Sequence, residues 1–321
     1  MDHVDFCAAL SARLGPHVTA DDVYFCFRLI LGRDPNPEEV PGHMQAIGQD
    51  LPHVVRQYLN SQEFAARNLL NVPESGYALA EMEGYQLYVD PEDDAVGRHA
   101  MTGAYEAHVT AVFRDHLTAG ATVVDVGANM GVFTALSAHL VGPGGRVISI
   151  EPNPRNCRFL EATRRRNGWT WQTTHCVAAS DRAGMLALFS AYSNGSVTEP
   201  SEELAAIMRS TMVQAVALDQ ILQLDRLDFV KIDVEGHEHE ALSGFEAHLR
   251  RFRPKIVSEF TPGSMSDPGA YLKFLYSLGY ELAVIAGDGP PVSYGQDPEA
   301  IMSAWRRSGV DHIDLFATPL S

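Results

Sequence analysis

Positive charge is scarce in this chain. Among its 321 residues, 24 Lys and Arg stand against 41 Asp and Glu, a formal net charge of −17. Such an acidic chain repels phosphate backbones, which argues against nucleic acid as its main partner. Long apolar runs are also missing. None approaches the roughly 20 residues that cross a bilayer, so no membrane span is expected. The opening residues Met1-Asp2-His3-Val4-Asp5 carry acids where a signal peptide carries cations. Cysteine is sparse: Cys7, Cys26, Cys157 and Cys176 lie far apart with no CxxC, which suggests neither a disulfide framework nor a zinc knuckle. There are no internal repeats. The composition that is present, 45% hydrophobic, 9% aromatic and 20% charged, is that of a globular protein. A soluble, cytoplasmic chain is the expectation, and a homo-oligomer is compatible with it.

The length suits two unequal domains better than one small module. Residues 1–72 read as a small helical domain for recruiting a partner or substrate. Thr19 and Asp22 form a capping-box-like start, with Asp in place of the usual Glu or Gln. An apolar run from Val23 to Leu31 closes at Gly32, and Arg33-Asp34-Pro35-Asn36-Pro37 reads as a loop. Further helices are predicted around 37–47 and 51–60, with Ser61 capping a last one. Residues 73–321 read differently. Tyr85-Gln86-Leu87-Tyr88-Val89 alternates like a strand, and Asp90-Pro91-Glu92-Asp93-Asp94 like a solvated turn. Strands are then expected at Thr122–Val126, Arg146–Ile150, His175–Ala178, Phe229–Val234, Ile256–Phe260, Glu281–Ile285 and Asp311–Ala317. Their alternation with helices is the pattern of a doubly wound, mostly parallel α/β sheet.

The sharpest motif is Val123-Val124-Asp125-Val126-Gly127-Ala128-Asn129-Met130-Gly131. A buried strand ends in a glycine turn and leads into a helix, which sets backbone N–H groups against a ligand at the carboxyl edge of the sheet. Glu151 closes the second strand twenty residues after Gly131, where an acid accepts hydrogen bonds from ribose hydroxyls. Asn153 and Pro154 open the next helix. A dinucleotide fingerprint needs glycine at the positions of Gly127, Asn129 and Val132, and only the first is met. That counts against a nucleotide-dependent oxidoreductase. The Asp125 carboxylate suits a cationic ligand, namely S-adenosylmethionine.

At this point the chain resembles the FkbM-type S-adenosylmethionine-dependent methyltransferases. The matching stretches are Gly103-Ala104-Tyr105-Glu106, Asp125-Val126-Gly127-Ala128-Asn129-Met130-Gly131, Glu151-Pro152-Asn153-Pro154 and Ala178-Ala179-Ser180-Asp181. Leu218-Asp219 and Val230-Lys231-Ile232-Asp233-Val234-Glu235-Gly236-His237-Glu238 complete the order. The resemblance covers roughly 80–320. It implies a class I methyltransferase (Rossmann-like) sheet of seven strands, the last antiparallel, and O-methylation of a hydroxyl on a sugar, glycan or glycosylated natural product. It also implies that Glu106 approaches the methionine end of the cofactor and that Ala178 and Ser180 approach adenine. Residues 20–65 resemble, more weakly, a helical domain of unknown function attached to bacterial glycan-modifying enzymes. A protein that keeps the fold without turnover is the non-enzymatic alternative.

A sugar hydroxyl needs its proton removed, and Asp233 to Glu240 is the densest titratable group in the chain. His237 is the first base candidate, because the unperturbed histidine pKa lies near neutrality. Glu235, Asp233 and Glu259 follow. The helix macrodipole accounts for Glu238 and Glu240, and His239 is expected to be solvated. Asp233, Glu235, His237 and His239 offer donors for Mg²⁺ but lack the H-E-x-x-H spacing, so a metal-free site is favoured. Ser193-Asn194-Gly195-Ser196 is either an acceptor-side loop carrying Asn194 and Ser196 or a hairpin turn. The arginines at 164–166 and 250–253 read as helix C-termini, and Trp169 and Trp171 as packing residues.

Overall fold

The computed structural model describes residues 16–67, 76–103, 105–191, 193–199, 210–287 and 289–320. The chain divides into two compact units, Met1–Gly76 and Tyr77–Ser321. In the first, α1 (Ala20–Phe25) runs on as a π-helical turn, Cys26–Ile30, followed by α2 (Val40–His43), α3 (Leu51–Leu59) and α4 (Gln62–Arg67). The capping box at Thr19 is complete: its Oγ1 accepts from the Asp22 N–H at 3.2 Å, and Asp22 Oδ2 accepts from the Thr19 N–H at 2.8 Å. Ser61 Oγ accepts from the Phe64 N–H and opens α4. Val23, Phe27, Leu31, Val54 and Tyr58 form a small core. Against it Arg33 lies 4.9 Å from the Phe27 ring centre, paired with Glu39 and Glu63. The helix expected over 37–47 is shorter and ends in a 3₁₀ turn, because Pro41 and Gly42 occupy its middle.

The second unit opens with a hairpin, β1 (Ala78–Glu81) and β2 (Gln86–Val89), then α5 (Gly97–Met101) and α6 (Ala107–His116). The sheet begins with β3 (Thr122–Val126), α7 (Val132–Val141), β4 (Arg146–Ile150), α8 (Pro154–Arg166) and β5 (Gln172–His175). A second, four-stranded sheet follows, from β6 (Ala178–Ala179), β7 (Gly184–Ala191), β8 (Asn194–Thr198) and β9 (Thr211–Val216). The chain returns through α9 (Leu218–Ile221), β10 (Phe229–Ile232), α10 (Glu238–Ser243), α11 (Glu246–Phe252) and β11 (Lys255–Phe260). It ends with α12 (Pro268–Ser277), β12 (Tyr280–Ile285), β13 (Val292–Gly295), α13 (Pro298–Ser308) and β14 (Ile313–Pro319).

The main sheet has the order β13-β12-β14-β11-β10-β3-β4-β5. The seven strands of the class I methyltransferase pattern are present, with β14 antiparallel between β11 and β12. The edge strand β13 is an addition to the expected seven. The third expected strand is split: β5 stays in the main sheet, while β6 pairs with β9 in the second. The second sheet was not legible beforehand because Met185-Leu186-Ala187-Leu188-Phe189 has few β-branched residues and its apolar run fits helix equally well. The stretch after Ser196 reads in the sequence as a polar helix, and its residues 200–209 lie outside the described residues.

Strand alternation sends Val124, Val126, Val230 and Ile232 to one core and Val123, Phe229 and Val257 to the other. Asp125 and Lys231, two residues on from Val123 and Phe229, therefore share the second face, and the register pairs them directly. The expected solvated turn at Asp90–Asp94 is corrected. Asp93 is fully buried and accepts from the backbone N–H groups of Ala95, Val96 and Gly97 and, across the chain, from Ser193 at 2.6 Å. Asp90 is buried too and pairs with Arg155 at 2.5 Å. Gly97 is required here, since a Cβ would lie 1.8 Å from the Asp90 carbonyl oxygen.

Replacing Asp93 with Ala strands several buried N–H groups. We expect the unfolding free energy to fall by about 2–4 kcal/mol. Urea unfolding of the full chain reads this directly, and a loss below about 1 kcal/mol would contradict the role given to Asp93.

Candidate functional site

A cavity of about 300 Å³ opens at the carboxyl ends of the parallel strands. That is where the strand order reverses and where open α/β sheets bind ligands. Its first end is built by the turn after β3. Gly127 has φ +78°, and a Cβ there would lie 1.7 Å from the Asp233 carbonyl oxygen, so glycine lets this turn meet the turn after β10. Glu151, at the end of β4, accepts from the Asn129 and Asn153 N–H groups at 2.8 Å each, and from Asn156 Nδ2 at 3.4 Å. Burial nevertheless pushes its carboxyl up to about 7. Asn129 Nδ2 donates to Asn194 Oδ1 at 2.9 Å, which ties the β7–β8 hairpin to this turn. Ala178, Ala179, Leu188 and Val197 supply apolar wall.

The middle of the cavity belongs to Lys231. Its ammonium lies 2.9 Å from Asp233 Oδ2 and 5.0 Å from the Phe133 ring centre. Burial alone would push this ammonium down. Asp233, Asp125 and Glu106 more than offset that and hold it above the ordinary lysine range. Glu106 stands at the head of α6 in the left-handed conformation, φ 40°, and burial pushes its carboxyl up. Asp125 is fully buried, accepts from Thr134 Oγ1 at 2.6 Å, and leaves Oδ1 without a hydrogen-bond partner among the described residues.

The far end joins Asp233, Glu235, Glu259 and His312. Because β14 is antiparallel, its start faces the carboxyl end of β11, with Ile313 opposite Phe260. His312 thereby reaches the edge, its Nδ1 2.9 Å from Asp311 Oδ1 and 3.9 Å from Glu259 Oε1. Burial, then the charges of Asp233 and Glu235, push the Glu259 carboxyl up to about 10. The Asp233–Gly236 turn carries Glu235 at φ 55° and Gly236 at φ 100°. Glu238 holds it, accepting from the Val234 and Gly236 N–H groups at 2.9 and 3.2 Å.

Of the residues singled out from the sequence, Glu106, Gly127, Asn129, Glu151, Asn153, Ala178, Asn194, Asp233, Glu235 and Glu259 line one cavity. Five do not. Asp125 sits beneath it, on the face covered by α7. Gly131 caps α7 at φ +97°. Ser180 turns towards α10, 3.1 Å from His237 Nε2. His237 is occupied by that contact, and burial pushes its pKa down. Ser196 pairs with Phe189 inside the hairpin, which is a hairpin turn with Asn194 at its tip. His239 is half-buried, 5.3 Å from the Phe274 ring, rather than solvated. Glu238 is fully buried, so the macrodipole is a minor part of its role. Lys231 and His312 were missed. A lone lysine in the buried strand Phe-Val-Lys-Ile was the available signal for the first. The second had none, since only strand direction brings it to the edge.

Sheet order and the place of the cavity are those of the class I methyltransferase architecture. A family model described as Methyltransferase FkbM domain matches residues 125–282. That match covers 158 of the 321 residues, so the sheet domain is similar to the FkbM methyltransferase domain. A model described as Protein-L-isoaspartate(D-aspartate) O-methyltransferase matches residues 50–191. A Protein-L-isoaspartate O-methyltransferase of Triticum aestivum is 37% identical over 79 residues, 24% of this chain and 34% of that relative. Two solved structures are similar. A Methyltransferase FkbM from Methylobacillus flagellatus KT shares 16% identity at a TM-score of 0.44, covering 91% of this chain and 58% of that one. An S-adenosylmethionine-dependent O-methyltransferase from Thermotoga maritima shares 12% at 0.38, covering 67% and 64%. Among the described residues no helix is long and apolar enough to cross a membrane.

Burial raises the Glu238 carboxyl from the ordinary 4.5 to about 7. The folded state thus binds this proton more tightly than the unfolded chain. The resulting stability is complete below the unfolded pKa and is lost as pH rises through about 7. Glu238→Gln stays neutral throughout. Its stability relative to wild type should therefore rise between about pH 5 and about pH 8, by ~1–3 kcal/mol. Parallel urea curves at the two pH values check this; an unchanged difference would refute it.

Proposed function

We propose that the cavity binds S-adenosylmethionine and that the chain methylates a hydroxyl of a neutral, polyhydroxylated acceptor, a sugar, glycan or glycosylated natural product. The donor set fits the cofactor: Glu151 accepts from the ribose hydroxyls, Ala179, Leu188 and Val197 flank the adenine, and Glu106 faces the ammonium. When bound, S-adenosylmethionine supplies a methyl group already activated by its sulfonium charge. Much of the rate then rests on how the chain positions the acceptor oxygen.

The observation that carries the acceptor class is the far end of the cavity, where Asp233, Glu235 and Glu259 converge with His312. Carboxyl groups hold hydroxyl donors well and repel a carboxylate or phosphate acceptor. This favours a sugar over the isoaspartate in the partial relative's name, whose carboxylate would meet Asp233 and Glu235, and over nucleic acid. Asp233 and Glu235 orient the acceptor by accepting from its hydroxyls. Glu259, held neutral, enters as a proton donor. His312 is the base: with its Nδ1–H donated to Asp311, Nε2 keeps the lone pair that takes the acceptor proton. His237 gives up that role, because it does not line the cavity.

The full chain, given methyl-labelled S-adenosylmethionine, should label neutral methyl hexosides and leave an isoaspartyl peptide and RNA unlabelled. Labelling of either of the latter would overturn the acceptor class. His312→Ala should lower turnover by about 10²–10⁴ at unchanged cofactor affinity, while His237→Ala keeps most of it. Full turnover in His312→Ala would remove it as the base.

A further inference from the structure

We infer that Lys231 is the seat of the cofactor's amino-acid carboxylate, with Glu106 opposite it for the ammonium. The inference rests on the cofactor reading above and concerns a residue to which no role has been given in binding. Among the described residues that line the cavity, Lys231 is the one permanent cation; the other basic residue there is His312. The acids Glu106, Glu151, Asp233, Glu235 and Glu259 are spread along the rest of the wall. Among the described lining residues, Lys231 is therefore where a ligand carboxylate meets a permanent positive charge. S-adenosylmethionine must place one there.

Position agrees with charge. Strands lie roughly 5 Å apart, so Glu151, just past β4, and Lys231 on β10, two residues deeper in register with β3 between them, are roughly 10 Å apart across the sheet. That is the span from a ribose to the end of its methionine chain. Lys231 projects from the same face as Asp125, and Glu106 lines the same cavity and is among the acids whose charge acts on its ammonium. Its recorded hydrogen bond is to Asp233 Oδ2 at 2.9 Å, which uses one of three N–H donors. Three carboxylates, Asp125, Asp233 and Glu106, surround one ammonium. A zwitterion suits this surplus: its ammonium answers Glu106, and its carboxylate accepts a hydrogen bond from a Lys231 N–H other than the one given to Asp233.

The test is calorimetric titration of the wild-type full chain with S-adenosylmethionine and with its decarboxylated analogue. The analogue keeps adenine, ribose, sulfonium and amine and lacks only the carboxylate. We expect it to bind about 10–100-fold more weakly, the worth of a charge-assisted hydrogen bond. In Lys231→Met the two ligands should bind alike. Equal binding by the wild type would overturn the inference while leaving the cofactor reading intact. Binding of neither ligand would overturn both. The wild-type comparison decides the matter even if Lys231→Met fails to fold.

Discussion

Lys231 carries its ammonium into the centre of the main sheet, where Asp125 stands beside it on the neighbouring strand and Asp233 accepts a hydrogen bond from it. An isolated charge at such depth costs several kcal/mol, and each partner is tolerated there because the others are present. The group is not neutral. Three carboxylates against one ammonium leave it short of positive charge, and burial holds Asp125 and Glu106 towards their protonated forms. A cationic ligand relieves that shortage, so the electrostatics of the core and the chemistry of the cavity share one cause. The same cluster sits where the turns after β3 and β10 touch through Gly127, and it joins the two halves of the site.

The edge of the sheet sorts the remaining functions by strand. The end of β4 offers Glu151, β3 and β10 the charged cluster, and β11 and β14 the acid Glu259 and the imidazole of His312. Strand spacing sets the distances between these functions, so a ligand spanning them is measured by the sheet itself. The antiparallel course of β14 is what adds His312 to this row. Had that strand run parallel, its start would lie at the opposite edge.

Two buried acids that do not line the cavity shape its walls. Asp93 gathers the N–H groups of its own turn together with that of Ser193, and so draws the β7–β8 hairpin over the cavity, where Asn194 meets Asn129. Glu238 holds the turn that presents Asp233 and Glu235, in a backbone that includes a left-handed non-glycine residue. Both replace what would otherwise be orphaned backbone donors by charge-assisted hydrogen bonds.

Much of this was written locally. The alternation of β-rich and helical runs, the glycine turn after Asp125, the acid at Glu151 and the Asn153-Pro154 helix start are spacings of a few residues, and local spacing determines local conformation. Those features account for the sheet domain and for the turn, Glu151 and Asn153 that line one end of the cavity. Other features depend on which distant segments meet. The second sheet, the burial of Asp90 and Asp93, the withdrawal of Asp125 and His237 from the cavity, and the arrival of His312 and Lys231 were decided by strand order, direction and register. A carboxylate reads the same in sequence whether it faces water, a ligand or four backbone N–H groups. Only long-range pairing settles which, because it places residue 193 against residue 93 and residue 231 against residue 125.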